Sequence, residues 1–447
     1  MKWIRHRFFI VVLTVLVFLL GLSLHLTRLA LYGEDWATYP TNRHVFKSGM
    51  LNKAGDITDR DGTVLATTKN GERIYNQNKD IRMSTVHTVG DLKGFVSTGV
   101  QSAYLKELCG WDIINGTYNI SGKGNNIELT LDSNLCTKAL KQLGSYSGAV
   151  GIYNYQTGEI ICMVSTPTFD PHSATAPAGD GVYVNRFISG VYAPGSIFKL
   201  VTTLSALENI NDAENLQFSC NHGTTIMNEW LSCMGNHKNI KLGAALTHSC
   251  NAFFAQTALE LGRNKLTKTA EAVGFNKTLK MDKIECGQSV YKVKNSNDID
   301  FGWSGIGQHN DLVNPYHFLS FMGGIANGGS SISPFVVNKI TSAEGIKIRG
   351  AKTNKTKMMS EKDAANLTQM MRNNVRKNYG DHYFGGLEVC GKTGTAEVGD
   401  KATPHSWFTG FINDSTKPYA FAVVVENAGS GNGVALRIAS NMLKNIV

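Results

Sequence analysis

Residues 8–27 are an uncharged run of 20 residues in which only Thr14, Ser23, His25 and Thr27 are polar. As a helix, such a run rises about 30 Å, the depth of a bilayer's hydrocarbon core. A cleaved secretory signal has a shorter apolar region, about 7–15 residues, followed by a small-x-small site. This run is longer, and the Leu29-Ala30-Leu31 behind it is a poor site. The run therefore reads as an uncleaved anchor. Lys2, Arg5 and Arg7 stand before it, which places residues 1–7 in the cytoplasm and everything after Arg28 outside it. No second run of that length follows. The expectation is a single-pass protein of the cell membrane with a large extracytoplasmic body.

The chain has 447 residues, 42% of them hydrophobic, ample for a packed core and against intrinsic disorder. Length alone suggests two or three domains. The net charge of +9 suits a nucleic acid, a membrane surface or an anionic polymer alike. Topology removes nucleic acid from that set. The charge is uneven: residues 1–60 carry +4, residues 345–377 carry +7, and the rest sum to −2. The 345–377 segment reads as a solvated loop and helix face.

Turn chemistry and periodicity divide the body. Asp61-Gly62 between Ile57 and Val64-Leu65 predicts a hairpin. Residues 63–130 show short apolar groups and many turn formers, with no long periodic helix. Asp132 is a plausible N-cap for a helix through Leu143. Two apolar runs, 149–153 and 160–164, flank Gln156-Thr-Gly158 and predict a second hairpin. Ile197, Leu200, Val201, Leu204 and Leu207 recur at helical spacing behind Pro194-Gly195. A further helix starts near Ser249. Ser360-Glu-Lys-Asp363 resembles a capping box, and Gly380 a helix stop. Strand-like segments at 391–398, 406–412 and 419–426 precede a closing helix over 435–446. The expected domains are a tail 1–7, an anchor 8–27, a small mainly β region 28–140 and a larger α/β domain 141–447.

All eight cysteines lie in the body, and Cys220 and Cys233 are the closest pair. Cys220, His222, Cys233 and His237 mix thiols with imidazoles, but their spacing matches no common zinc finger. A disulfide or two free thiols fits better.

Three short motifs carry chemistry. Ser196-Ile-Phe-Lys199 puts a hydroxyl and an amine on one helix face. A Ser hydroxyl is a weak nucleophile unless a base takes its proton. A Lys amine serves only if burial or neighbouring cations lower its pKa. In Ser249-Cys250-Asn251, Ser249 is suited to relaying a proton and Asn251 to holding a substrate amide. A helix N-cap followed by polar residues looks the same. In Lys392-Thr393-Gly394-Thr395, Gly394 lets a substrate backbone approach the strand. Thr393 and Thr395 offer hydroxyls to a carboxylate, and Lys392 offers positive charge. The first two motifs are weak alone and the third is stronger, and the ordered trio is a recognised signature of penicillin-binding proteins and serine β-lactamases.

With its context, the trio resembles the class B penicillin-binding proteins, monofunctional peptidoglycan D,D-transpeptidases. Tyr192-Ala-Pro-Gly-Ser196, Gly305-Ile-Gly-Gln308, Asn314-Pro315, Ile325-Ala-Asn-Gly-Gly329, Gly391-Lys-Thr-Gly-Thr-Ala-Glu397 and His405-Ser-Trp-Phe-Thr-Gly-Phe411 resemble the catalytic domain. Gly55-Asp-Ile-Thr-Asp-Arg-Asp-Gly62 and Leu129-Thr-Leu-Asp132 resemble the non-catalytic pedestal and its junction. The resemblance implies an antiparallel sheet flanked by helices, on a small pedestal and one transmembrane helix. It implies that Ser196 forms an acyl-enzyme on the penultimate D-Ala of a stem peptide, with Lys199 as base. Ser249, Asn251 and Lys392 would complete the catalytic set, and Thr393, Gly394 and Thr395 would bind substrate. The backbone N–H groups of Ser196 and Thr395 would form the oxyanion hole. β-Lactams would acylate Ser196, no metal or other cofactor is needed, and an FtsW/RodA-type polymerase is an expected partner. Ala54, Ile197 and His309 depart from the family pattern without removing a catalytic group. A D,D-carboxypeptidase or β-lactamase on the same scaffold, or an idle sensor or scaffold, would share much of this pattern. The anchor and pedestal favour transpeptidation, and all three reactive side chains are retained.

Overall fold

The computed structural model describes residues 2–446 apart from 40, 44, 48–49, 113–115, 117–121, 174–178, 398, 400–402 and 430–432. Val398, the last residue of one expected strand, lies outside the described residues.

The chain opens with helix α1 (Lys2–Ala37), and its Lys2–Gly33 portion is long and apolar enough to cross a membrane, with its most apolar stretch wholly unburied. This helix outruns the expected 20-residue span at both ends, because its flanks hold no helix breaker. The next region holds β1 (Ile57–Thr58), β2 (Val64–Lys69), β3 (Glu72–Tyr75), helix α2 (Lys79–Val89) and β4 (Asn126–Leu129). The Asp61-Gly62 hairpin forms as expected: Ile57 pairs with Ala66, and Gly62 takes φ +82°. Helix α2 was not expected. Its buried residues include Ser84, Thr85, His87 and Thr88, so no apolar period marks it. The Ser84 and Thr85 hydroxyls donate to the Ile81 carbonyl, which lets polar residues fill that face.

Helix α3 (Ser133–Leu143) is capped by Asp132, whose carboxylate accepts from the Leu135 N–H at 2.9 Å. Hairpin β5 (Gly148–Asn154) and β6 (Ile160–Thr166) follows. The chain continues through α4 (Lys199–Asn209), a long hairpin β7 (Gln217–Ile226) and β8 (Glu229–Lys241), α5 (Asn251–Val273) and α6 (Pro315–Ala326). Then come β9 (Val337–Thr341), β10 (Lys347–Gly350), α7 (Glu361–Asn378), β11 (Val389–Ala396), β12 (His405–Ile412), β13 (Tyr419–Val425) and α8 (Val434–Leu443).

The central sheet is five-stranded and antiparallel, in the order β11-β12-β13-β5-β6. Strands β5 and β6 are buried almost throughout, because helices cover the sheet. Helix α6 is buried from Pro315 to Ile325, and Gly323 meets Tyr153 of β5 where any side chain would collide. Helices α3 and α8 pack on each other and on the sheet. Ser360 caps α7 as expected by accepting from the Asp363 N–H.

A second, six-stranded sheet runs β10-β9-β4-β1-β2-β3. Its β9 and β10 come from residues 337–350, far downstream, and Val337 pairs with Leu129. The basic segment therefore begins as a strand of the N-terminal sheet. The two sheets share one continuous core that includes Ile57, Ile127 and Leu129 as well as Val150 and Val423.

Candidate active site

Ser196 lies in a 3-10 turn, Gly195–Ile197, immediately ahead of α4. Expectation had one helix from Ser196. The turn is tighter because Gly195 takes φ +53°, a conformation that disfavours any other residue. A side chain at Gly195 would stand 2.1 Å from the Thr395 carbonyl oxygen, and one at Gly394 2.8 Å from the Pro194 carbonyl oxygen. The Gly195 N–H donates to the Gly307 carbonyl at 2.8 Å. Three separate segments thus meet backbone to backbone at the serine.

Lys199 begins α4 and is completely buried. Its Nζ is 3.1 Å from Ser196 Oγ, 2.7 Å from the Ser249 carbonyl, 3.1 Å from Ser249 Oγ and 2.6 Å from Asn251 Oδ1. Burial lowers its pKa to about 7, because desolvation penalises the charged amine. Lys392 Nζ donates to Ser249 Oγ at 3.1 Å and to the Thr393 carbonyl at 3.0 Å. Its pKa also falls well below the usual value, by burial first and then by the nearby Lys199 charge. Ser249 Oγ therefore sits between the two amines. Ser249 itself takes φ +52° at the end of a short helix, Leu242–His248, and Cys250 caps α5. The helix expected near Ser249 thus starts at Asn251. Asn251 is fixed by its Nδ2, which donates to the Ser232 carbonyl at 3.1 Å.

Thr393, Gly394 and Thr395 lie on β11, the edge strand of the central sheet, with Gly394 opposite Trp407. The Trp407 indole donates to the Ala193 carbonyl at 3.0 Å, which ties β12 to the segment ahead of Ser196. Thr393 Oγ1 is 3.2 Å from the Tyr379 hydroxyl. Every residue singled out from the sequence for the site is therefore in this one neighbourhood.

Sequence reasoning passed over two supports. Arg186 and Glu426 form a mostly buried ion pair at 2.8 Å, and the Tyr192 hydroxyl donates to the same Glu426 oxygen at 2.9 Å. These contacts brace the segment leading to Ser196 against the end of β13. Tyr192 belongs to the Tyr192–Ser196 motif, but nothing in the sequence pointed to Glu426. Hairpin β7–β8 is the other support. The Met227-Asn228 tip has two consecutive positive φ angles, the turn that Asn favours. All cysteines are free, so Cys220 and Cys233 stand as thiols. His222 is exposed and apart from them. His237 and Cys250 instead join Cys220 and Cys233 in a group whose donor atoms lie within 4.8 Å of one another.

The family model for the penicillin binding protein transpeptidase domain matches residues 148–446. Peptidoglycan D,D-transpeptidase PbpA of Mycobacterium tuberculosis is 28% identical over 353 residues, covering 70% of each chain. Penicillin-binding protein 3 of Bacillus subtilis is 24% identical over 394 residues, covering 79% of this chain and 57% of its own. The ceftriaxone acyl-enzyme structure of M. tuberculosis penicillin-binding protein A matches with a TM-score of 0.78 at 23% identity, covering 89% of this chain and 98% of that one. A D,D-transpeptidase domain from Eggerthella lenta matches with a TM-score of 0.76 at 26% identity, covering 88% and 97%. With the fold, the three motifs and these relatives in agreement, the chain belongs to the penicillin-binding protein transpeptidase family, among its class B members.

Proposed function

We propose that the protein is a peptidoglycan D,D-transpeptidase that cross-links stem peptides through a Ser196 acyl-enzyme and binds penicillin covalently. The observation that carries this reading is the chain of contacts from Ser196 Oγ to Lys199 Nζ, Ser249 Oγ and Lys392 Nζ, each 3.1 Å.

Lys199, with a pKa of about 7, is neutral in a large fraction of molecules near neutrality and takes the Ser196 proton as Oγ attacks the penultimate D-Ala carbonyl. The abutting backbones of Gly195 and Thr395 support an oxyanion hole made by the Ser196 and Thr395 N–H groups. Ser249 passes the proton to the departing D-Ala nitrogen, with Lys392 and Asn251 shaping the local field. Thr393 and Thr395 take the terminal carboxylate, and the substrate backbone lies along edge strand β11. The amine of a second stem peptide then attacks the ester and releases Ser196.

Residues 28–140, completed by β9 and β10, act as the pedestal, and the rest of 141–447 as the catalytic domain. Residues 1–7 face the cytoplasm, 8–27 anchor the chain, and an FtsW/RodA-type polymerase is the proposed membrane partner. Fluorescent penicillin is expected to label the wild type covalently and to leave Ser196→Ala unlabelled. Equal labelling of both removes Ser196 as nucleophile. Rapid release of the label instead of a long-lived adduct would favour a β-lactamase.

A further inference from the structure

We propose that Cys220, Cys233, His237 and Cys250 form a tetrahedral site for a zinc-class divalent ion, which joins hairpin β7–β8 to the start of α5. A tetrahedral zinc ion holds thiolate sulfur at about 2.3 Å and imidazole nitrogen at about 2.0 Å. Two such sulfurs therefore stand about 3.8 Å apart, and a sulfur and a nitrogen about 3.6 Å apart. Here Cys220 Sγ and Cys233 Sγ lie 3.5 and 3.6 Å from His237 Nδ1, and Cys233 Sγ lies 3.9 Å from Cys250 Sγ. Three of the six edges thus match those of a ligand tetrahedron, and all four donor atoms lie within 4.8 Å of one another. A disulfide would need the sulfurs about 2.05 Å apart.

The backbone is shaped to bring these groups together. In a regular strand Cys233 and His237 would be about 13 Å apart. Strand β8 has two register shifts in this stretch. Ser232 pairs with Gly223 and Asn236 with Asn221, so four steps on β8 match two on β7. The next step, to Lys238 opposite Cys220, adds another unmatched residue, and Lys238 takes φ +49°. The extra residues fold the chain between Cys233 and His237 back on itself. Cys250 comes from a different element, as the N-cap of α5, where the Phe253 N–H donates to its sulfur. The donor set, three thiols and one imidazole, is the chemistry of structural zinc. As the ion binds, the thiol protons pass to water and no group changes oxidation state.

Cys250 lies between Ser249 and Asn251, and Ser232 beside Cys233 holds the Asn251 amide. The ion would therefore fix the middle motif. The site does not depend on the proposed reaction, and its test is separate.

The full chain is purified in detergent under reducing conditions with zinc supplied, and its metal content is measured. About one zinc per chain is expected. Cys220→Ser and His237→Ala are each expected to lower it at least tenfold. His222→Ala and Ser196→Ala are expected to keep it in full. Replacing zinc with cobalt is expected to give a thiolate charge-transfer band and the intense visible bands of tetrahedral cobalt. That spectrum comes from the wild type, so it stands even if a variant fails to fold. Zinc-free protein under these conditions, a disulfide within the cluster, an octahedral cobalt spectrum or full metal retention in Cys220→Ser overturns the site.

Discussion

At the scale of single residues, Lys199 couples the site to pH. Its folded pKa of about 7 comes from burial, so raising the pH through that value increases the neutral form able to accept the Ser196 proton. Penicillin acylation is expected to rise from pH 6 and level off above about pH 8. Lys392 shares Ser249 Oγ with it, so the midpoint belongs to the pair of amines. A flat profile across that range would remove Lys199 as the base. Gly195→Ala places a methyl group 2.1 Å from the Thr395 carbonyl at a positive φ. The backbone must shift, and a displacement of about 1 Å at a reacting group costs about 100-fold in rate. The acylation rate of Gly195→Ala is expected to fall by at least that factor, and a near-normal rate would show that the turn can relax. The reactive side chains were legible in the sequence because each motif is local and its residue types are the chemistry. Glu426 was not, since its role exists only through Arg186 and Tyr192, more than 230 positions earlier.

At the scale of elements, packing rules account for what was legible. Hairpin β5–β6 and caps Asp132 and Ser360 are encoded within a few residues, and the structure shows each of them. Helix α2 escaped because Ser84, Thr85, His87 and Thr88 share its buried face with Val86 and Val89, which erases an apolar period. The irregularity of β8 escaped because a bulge is set by two strands at once. The Arg186–Glu426 pair offers a test of how the approach to Ser196 is held. Its side chains are 11% and 22% exposed, and breaking a buried pair costs about 3 kcal/mol or more. Arg186→Ala is expected to lose about 3 kcal/mol in urea unfolding, since it strips Glu426 of its guanidinium partner and leaves the Tyr192 hydroxyl bond. Unchanged stability would show the pair to be solvent-screened.

At the scale of the whole molecule, the two sheets are not separable at residue 140. Strands β9 and β10 leave the catalytic region and complete the N-terminal sheet. Arg349 of β10 and Lys283 both pair with Glu107, adding charge contacts across the same junction. A chain of residues 141–447 alone would expose the edge of β9 that β4 covers, together with Val337 and Ile340. Such a fragment is expected to aggregate or to melt well below a fragment of residues 38–447, which should unfold in one transition. Equal melting temperatures in calorimetry would show that the catalytic domain stands alone. The sequence did not disclose this return: β10 lies in the 345–377 segment, which advertises only its charge, and β9 is a short strand ahead of it with nothing local to name β4 as its partner.

The pairing of β4 with β9 also sets a clock on biogenesis. Glu128 bonds to Asn338, a partner 210 positions later. At about 5–20 residues per second, a ribosome needs about 10–40 s to make that stretch. During that interval β4 waits with its edge unpaired, already beyond the anchor that precedes it. Such an edge invites pairing with other chains, so holding chaperones would have their longest task here, before the catalytic sheet has even begun to close.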